Sequence, residues 1–378
     1  MVESYDFAVY IGRFQPIHAG HLACIEHALA VAKRLIIVVG SVSRARDSRH
    51  PWSFTERENM IRASLPAGFQ ERVHIVGVRD VLYNDERWLE QVQEAVDHLV
   101  CADLWDTDFT EVPLRICLVG HQQNHTSDYL AAFPQWHRIE VDEHLDERQG
   151  TIHAAAVREA FFRATQALSE KGREPSDDEG FFIDALAEQP ISTTVAAWLA
   201  EFATGANREE AARLSEEWFF IRAYQSQFAG LKYPVVQQAV DAVVVVSGHI
   251  LLVRRGAKPG LGLWALPGGF LRENERLIDA MVRELREETR LKVPEKVIRG
   301  SIKAQERYDE PMRSTRGRTI TEAFLIRLPS QPLPPVKGGT DARHARWFTL
   351  AEFERMEAEL FEDHFHIVQD LLGRGRRI

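Results

Sequence analysis

The chain has 378 residues, 45% hydrophobic and 27% charged, with a net charge of −10. At roughly 150 residues per domain this length predicts two or three packed units. No apolar run approaches the ~18 residues of a membrane span and no N-terminal signal pattern is evident, so a cytoplasmic protein with no membrane partner is expected. The acidic balance argues against nucleic-acid binding and leaves anionic small substrates to local basic pockets. Cys24, Cys101 and Cys117 lack paired metal-ligand spacing and read as core thiols, while Arg374, Arg376 and Arg377 read as a solvated tail.

From residue 6 to about 165, strand-like runs alternate with helical patterns. Phe7 to Ile11, Leu35 to Val39, Val73 to Val76, Leu114 to Val119 and Ile139 to Val141 are the predicted strands. Such alternation predicts a parallel sheet wound by helices. Directly after the first strand stand Gly12, Arg13, Phe14, Gln15, Pro16, Ile17, His18, Ala19, Gly20 and His21. A glycine turn lets backbone approach phosphate, and the helix start that follows attracts anions. His18 and His21, three apart at that start, can both donate to a triphosphate.

This segment resembles the nucleotidylyltransferases, specifically the adenylyltransferases that make NAD from nicotinamide mononucleotide (NMN). The resemblance implies ATP and NMN as substrates, aligned without a covalent nucleophile while charge develops on pyrophosphate. It also implies a later phosphate motif of hydroxyl residues, small residues and a closing arginine. Ser192, Thr193 and Thr194 look like that motif but lack the arginine, and read as a helix N-cap. Thr151, Ile152, His153, Ala154, Ala155, Ala156, Val157 and Arg158 keep the spacing, which makes Arg158 the expected triphosphate contact, with His153 and Ala155 in place of hydroxyl residues. Gly40, Ser41, Arg44 and Arg46, then Phe54 to Arg57, resemble the second strand end and helix, with the basic pair facing phosphate. Asn84 and Trp88 resemble the stretch that packs on nicotinamide, a core role for Trp88 being the alternative. Gly120, His121, Thr126, Ser127 and Tyr129 resemble the loop that approaches adenosine.

Residues 168 to 190 turn polar and acidic, with Glu174 to Gly180 reading as a loop or linker. Two helical patterns follow, at about 192 to 203 and 207 to 228, before the β-prone run Val235 to Val246. The domains expected are therefore 1–170, a linker and helical connector over 171–232, and 233–378.

In the last domain, Gly268, Gly269, Phe270 and Leu271 precede Glu275 and then Arg283, Glu284, Leu285, Arg286, Glu287 and Glu288. At about 100° per residue, Leu277, Ile278, Met281, Val282 and Leu285 form one apolar helix face, and Glu284, Glu287 and Glu288 crowd its margin. Oxygen ligands of this kind suit Mg²⁺ or Mn²⁺. The segment matches the Nudix box in order and spacing, apart from Arg290 where a glycine usually follows the glutamates. That resemblance implies hydrolysis of a nucleoside diphosphate derivative, a cation held by Glu284, Glu287, Glu288 and the backbone at Gly269, and Arg283 orienting a glutamate. Further on, Arg313, Arg316 and Arg318 lie in a basic loop expected to hold a diphosphate or a terminal ribose phosphate, and Glu306 and Glu310 are nearby candidates for the general base.

The fold class expected is α/β, a doubly wound parallel-sheet (Rossmann-like) nucleotidyltransferase domain plus a C-terminal α/β/α Nudix domain. Together they resemble bacterial bifunctional NMN adenylyltransferase/Nudix hydrolases, which implies NAD synthesis at one site and cleavage of ADP-ribose to AMP and ribose 5-phosphate at the other. Other Nudix substrates (NAD(H), a sugar nucleotide, an oxidised nucleotide), a non-catalytic ADP-ribose sensor and a homo-oligomeric state are left open by the sequence.

Overall fold

The computed structural model describes residues 5–104, 114–121, 131–141, 145–146, 150–151, 153–170, 178–329, 332–339 and 342–374. It divides into two compact units, Met1–Glu216 and Glu217–Ile378.

The first unit is built on a parallel sheet. Its strands are β1 (Tyr5–Gly12), β2 (Ala32–Val39), β3 (Val73–Gly77), β4 (Ile116–Gly120) and β5 (His137–Glu140), in the order β3-β2-β1-β4-β5. Helices α1 (Ala19–Val31), α2 (Phe54–Ser64) and α3 (Asp85–Leu104) make the crossovers. A sheet covered on both faces needs apolar residues at consecutive positions, and Leu35, Ile36, Ile37, Val38 and Val39 are all fully buried. The chain reverses its direction of travel across the sheet between β1 and β4. Ligands of open α/β sheets enter at that switch point, beyond the carboxyl ends of the strands, and Gly12 and Gly120 stand there.

A short ribbon of β6 (Leu145–Asp146) and β7 (Gly150–Thr151) precedes α4 (Ala154–Glu170), α5 (Asp178–Leu186), α6 (Thr193–Thr204) and α7 (Arg208–Ser226). The first compact unit runs past residue 170 to Glu216, with α4 packed on α5, α5 on α6 and α6 on α2. Phe161 of α4 meets Phe182 at 5.4 Å, Phe202 at 6.2 Å and Trp52 at 5.3 Å, and Ser215 Oγ donates to the Phe162 carbonyl at 2.8 Å. Each buried ring of this cluster contributes about 2 kcal/mol, which offsets the ordering of a segment that looks polar in sequence. Asp178 to Gly180, expected in a loop, open α5, and buried Asp178 lies 3.5 Å from Arg208. Ser192 caps α6 as expected, accepting from Val195 N–H at 3.2 Å. Cys24 and Cys117 are core thiols, but Cys101 is exposed on α3.

The second unit carries a mixed sheet. Its strands are β8 (Gln237–Val246), β9 (His249–Arg255), β10 (Trp264–Ala265), β11 (Gly268–Phe270), β12 (Ile302–Tyr308), β13 (Thr319–Arg327) and β14 (Ala342–Thr349). The main order is β10-β9-β8-β13-β12, with β11 on β8 and β14 on β9; only β8 and β13 run parallel. Helix α8 (Leu277–Thr289) buries Met281, Val282 and Leu285 against β8 and β13, with Leu277 and Ile278 at the rim. Helices α9 (Glu295–Gly300), α10 (Leu350–Phe353) and α11 (His364–Arg374) complete the unit.

Arg290 ends α8 in the left-handed conformation, φ 47° and ψ 32°, where a side chain costs about 1 kcal/mol relative to glycine. The last turn is then closed by Lys337 N–H on the Thr289 carbonyl (2.8 Å) and Gly339 N–H on the Glu288 carbonyl (2.9 Å). Gly339 is obligatory, since a Cβ there would lie 1.6 Å from the Glu287 carbonyl oxygen. Arg290→Gly is expected to raise the unfolding free energy of this unit by about 0.5–1 kcal/mol in urea melts, with the metal-box carboxylates undisturbed.

Candidate active sites

In the first unit the turn after β1 is held from several sides. A Cβ at Gly12 would come within 2.9 Å of the Phe14 ring, and Phe14 itself adopts φ 51°. Buried Arg57 donates to the carbonyls of Arg13 (2.7 Å), Gly40 (2.8 Å) and Ser41 (3.1 Å), tying the ends of β1 and β2 together. Gln15 clamps Trp52 through both amide atoms, at 2.8 and 3.1 Å.

His18 and His21 open α1 with ring centroids 3.7 Å apart, and the His18 N–H donates to His21 Nδ1 at 3.3 Å. An imidazole that accepts at Nδ1 keeps its proton on Nε2. His18 Nδ1 is buried without a hydrogen-bond partner among the described residues, a polar atom that calls for a ligand. Gly20 lets the His18 ring approach, its Cβ position lying 3.2 Å from that ring. Burial, aided by His153, His121 and Arg158, pushes His18 down to about 4, and burial beside His18 and His121 pushes His21 well below the ordinary imidazole range. Both rings are neutral donors at pH 7. Since the unfolded chain binds these protons more readily, stability is fully present above about pH 6.5 and falls as pH drops from there toward 4. Thermal melts should therefore show a loss between pH 7 and 5 that His18→Gln/His21→Gln flattens.

Arg158 lies at this site and donates to the Gln15 carbonyl at 2.6 Å. Burial, with the charges of Arg13 and Arg49 close by, lowers it to about 10 although Asp47 opposes the shift. Like charges gathered in this way favour an anionic ligand. Exposed Arg13 belongs to the same group. Arg44 and Arg46, the pair expected to face phosphate, both have acidic neighbours. Arg46 makes a bidentate pair with Glu56 (2.6 and 2.8 Å) and donates to the Pro51 carbonyl, while Arg44 lies 3.6 Å from both Asp47 and Asp80. Gly40 follows the last residue of β2 and its N–H donates to the Gly12 carbonyl at 3.0 Å.

Asp47 was not singled out by sequence. It accepts from the N–H groups of Arg49 and His50, both at 2.7 Å, and from His50 Nδ1 at 3.0 Å. Burial opposes its charge, yet His50 and Arg44 hold its carboxyl well below the usual range. Trp88 is half-buried against the core, 6.1 Å from Phe133, and Asn84 accepts from Arg87 N–H at the start of α3. His121 lies beside Gly20 and Val141; Thr126, Ser127, Tyr129 and Ile152 fall outside the described residues.

In the second unit, β11 and α8 bring the metal box together. A Cβ at Gly269 would stand 2.5 Å from Glu284 Oε1, so a side chain there would displace that carboxylate. Arg283 pairs bidentately with Glu275 (2.6 and 2.8 Å), and its third nitrogen reaches Glu284 at 2.6 Å and Glu287 at 3.3 Å. It thus ties Glu275, Glu284 and Glu287 to one guanidinium. Glu288 accepts from Gly268 N–H at 3.0 Å, and burial, with Glu284 and Asp241 nearby, pushes it up to about 8. Burial also raises Glu284, against the pull of Arg283.

Among the described residues no group of three or more ligating side chains converges as a ready-made metal cluster. The donors nevertheless fit a hard divalent cation. A buried carboxyl held up by desolvation gains its charge when a cation supplies the counter-charge, and Arg283 is the side chain now filling that role for Glu284 and Glu287.

The arginine loop divides. Arg316 lies 4.8 Å over the Phe270 ring and 5.9 Å from that of Phe361, and its buried Nε has no partner among the described residues. Arg313 is buried in a bidentate pair with Asp363, both bonds 2.8 Å. Arg318 donates to the Asp309 carbonyl. Arg255, which closes an apolar strand and was missed by sequence, stands 3.9 Å over Phe361, within the fields of Arg316, Glu362 and Glu288. Glu306 lies 3.5 Å from Arg374, which is 55% exposed and also pairs with Asp370, while Arg376 and Arg377 fall outside the described residues; Glu310 is bound up in its own turn.

The cytidylyltransferase-like family matches residues 9–195 and the NUDIX domain family matches residues 235–371. The nicotinamide/nicotinic acid mononucleotide adenylyltransferase of Acinetobacter baylyi is 35% identical over 158 residues, 42% of this chain and 76% of that protein. The ADP-ribose pyrophosphatase of Methanocaldococcus jannaschii is 34% identical over 134 residues, 35% of this chain and 72% of that protein. The chain belongs to both families, one in each unit. A crystal structure of a bifunctional NMN adenylyltransferase/ADP ribose pyrophosphatase from Francisella tularensis, complexed with AMP and Mn ion, aligns at TM-score 0.81 and 28% identity over 98% of this chain and 99% of that one. The cytidylyltransferase-like unit thus carries the His18/His21 site, and the NUDIX unit carries the glutamate box.

Proposed function

We propose that this chain is a bifunctional enzyme of NAD metabolism. Its first unit transfers AMP from ATP to NMN, giving NAD and pyrophosphate, and its second hydrolyses ADP-ribose to AMP and ribose 5-phosphate. The observation that carries this reading is the alignment of nearly the whole chain with one bifunctional protein, in both units at once.

In the transferase unit, the turn 12–21 receives the triphosphate at the start of α1. His18 and His21 donate neutral hydrogen bonds, while Arg158 and Arg13 supply positive charge where pyrophosphate leaves. Alignment of the NMN phosphate with the α-phosphate of ATP, together with that charge stabilisation, accounts for the rate without a covalent intermediate.

In the hydrolase unit, Glu284, Glu287, Glu288 and the Gly269 backbone would hold Mg²⁺, with Mn²⁺ as an alternative. When bound, the cation neutralises pyrophosphate oxygens and acidifies the attacking water. Arg283 sets the carboxylates, and Arg316 with Arg255 faces the diphosphate. A panel of ADP-ribose, NAD(H), sugar nucleotides and oxidised nucleotides, read by product release, tests the choice: ADP-ribose should have the highest kcat/KM. Tight ADP-ribose binding without turnover would instead establish a sensor.

A further inference from the structure

Four successive residues before and at the start of α11 reach into the hydrolase site from a part of the chain that carries no motif. Phe361 lies beneath Arg255 and Arg316. Glu362, at φ 47°, turns its carboxylate to the arginine loop, where Oε1 accepts from Ser314 Oγ and Thr315 N–H, both at 2.9 Å. Asp363 makes the fully buried pair with Arg313 in the same loop. His364 turns the other way, and its Nδ1 accepts the Leu266 N–H at 2.9 Å.

Leu266 begins the turn that delivers the metal-box glycines. The bonds along this turn alternate: the Pro267 carbonyl takes the Ala242 N–H at 2.8 Å, and Gly268 donates to Glu288. Asp241 fills the space beside Gly268, where a Cβ would lie 2.5 Å from Oδ1, and is fixed by Thr321 Oγ1 at 2.6 Å. A shift at Leu266 is therefore passed to Gly269 and Glu288. A shift at residues 314–315 is passed to Arg316.

We propose that Glu362, Asp363 and His364 are positioning residues for the hydrolase reaction, a clasp that fixes the arginine loop carrying Arg316 against the metal-box turn at residues 266–269. It rests on the reading of this unit as a metal-dependent hydrolase. Its two arms act on different quantities. The His364 arm sets the metal-box backbone and hence cation affinity and kcat; the Glu362 arm sets Arg316 and hence substrate affinity.

The test uses the full chain, with ADP-ribose kinetics, Mn²⁺ binding read by electron paramagnetic resonance, and melting temperature. His364→Leu should lower kcat about 30-fold and weaken Mn²⁺ binding about tenfold, with KM within about twofold of the parent. Glu362→Ala should raise KM about tenfold with kcat within about threefold. His364→Asn and Glu362→Gln, which keep an acceptor oxygen, should return to within about threefold of the parent. NAD synthesis by the same samples serves as the internal control. A merely structural role would lower the melting temperature and the active fraction while leaving KM and Mn²⁺ affinity at parent values for both arms, and that outcome would overturn the clasp. A parent that binds Mn²⁺ but cleaves no ADP-ribose would defeat the substrate reading alone; Mn²⁺ affinity of His364→Leu then decides the clasp, parental affinity counting against it.

Discussion

Glu288→Gln should lower ADP-ribose turnover by about a thousandfold, equivalent to roughly 4 kcal/mol of transition-state stabilisation, while NAD synthesis by the same protein stays at its parental rate. Glu288 is the most deeply placed of the three box carboxylates, and Gly268 N–H already fixes one of its oxygens. Glutamine fills the same volume and keeps an acceptor for that N–H, so the loss reports the missing charge rather than a collapsed turn. Glu287, the most exposed of the three at 40%, should show a smaller loss on the same change. Equal turnover in Glu288→Gln and the parent would remove Glu288 from the machinery.

The complementary result is expected at the other site. His21→Ala should lower kcat/KM for NAD formation by about 10²–10³, and His18→Ala by a similar factor, with ADP-ribose hydrolysis unchanged. Neither ring acts as a cation in the free protein, because burial, with His153, His121 and Arg158 near His18 and with His18 and His121 near His21, holds both below the ordinary imidazole range. Their contribution is directional: donors fixed at the start of α1, one of them packed against Phe14 at 4.7 Å between ring centroids. Asparagine at position 21 should recover part of the loss. Rescue of His21→Ala by lower pH would contradict the neutral-donor role.

The sequence shows the parts of this protein that are local. Strand periodicity located β1 to β5, and the Nudix spacing located α8, because a motif fixes its own helix face and turn. Charge partners were not local. Arg313 and Arg46 carry the same charge as Arg316 and Arg13, yet Asp363, fifty positions away in sequence, and Glu56 commit the first two to structure. The polar composition near residue 178 concealed a helix whose Phe182 belongs to the first unit's core. Asp47 and the stretch 361–364 had no pattern to mark them, since each acts through backbone N–H groups or side chains brought close only by the fold.

The central claim is that one chain carries both reactions, and the most direct measurement assays one purified preparation twice in Mg²⁺, once with ATP and NMN and once with ADP-ribose. NAD with pyrophosphate in the first and AMP with ribose 5-phosphate in the second are expected, His21→Ala lowering only the first and Glu288→Gln only the second. A preparation that forms no NAD, or one that leaves ADP-ribose intact, would contradict the account.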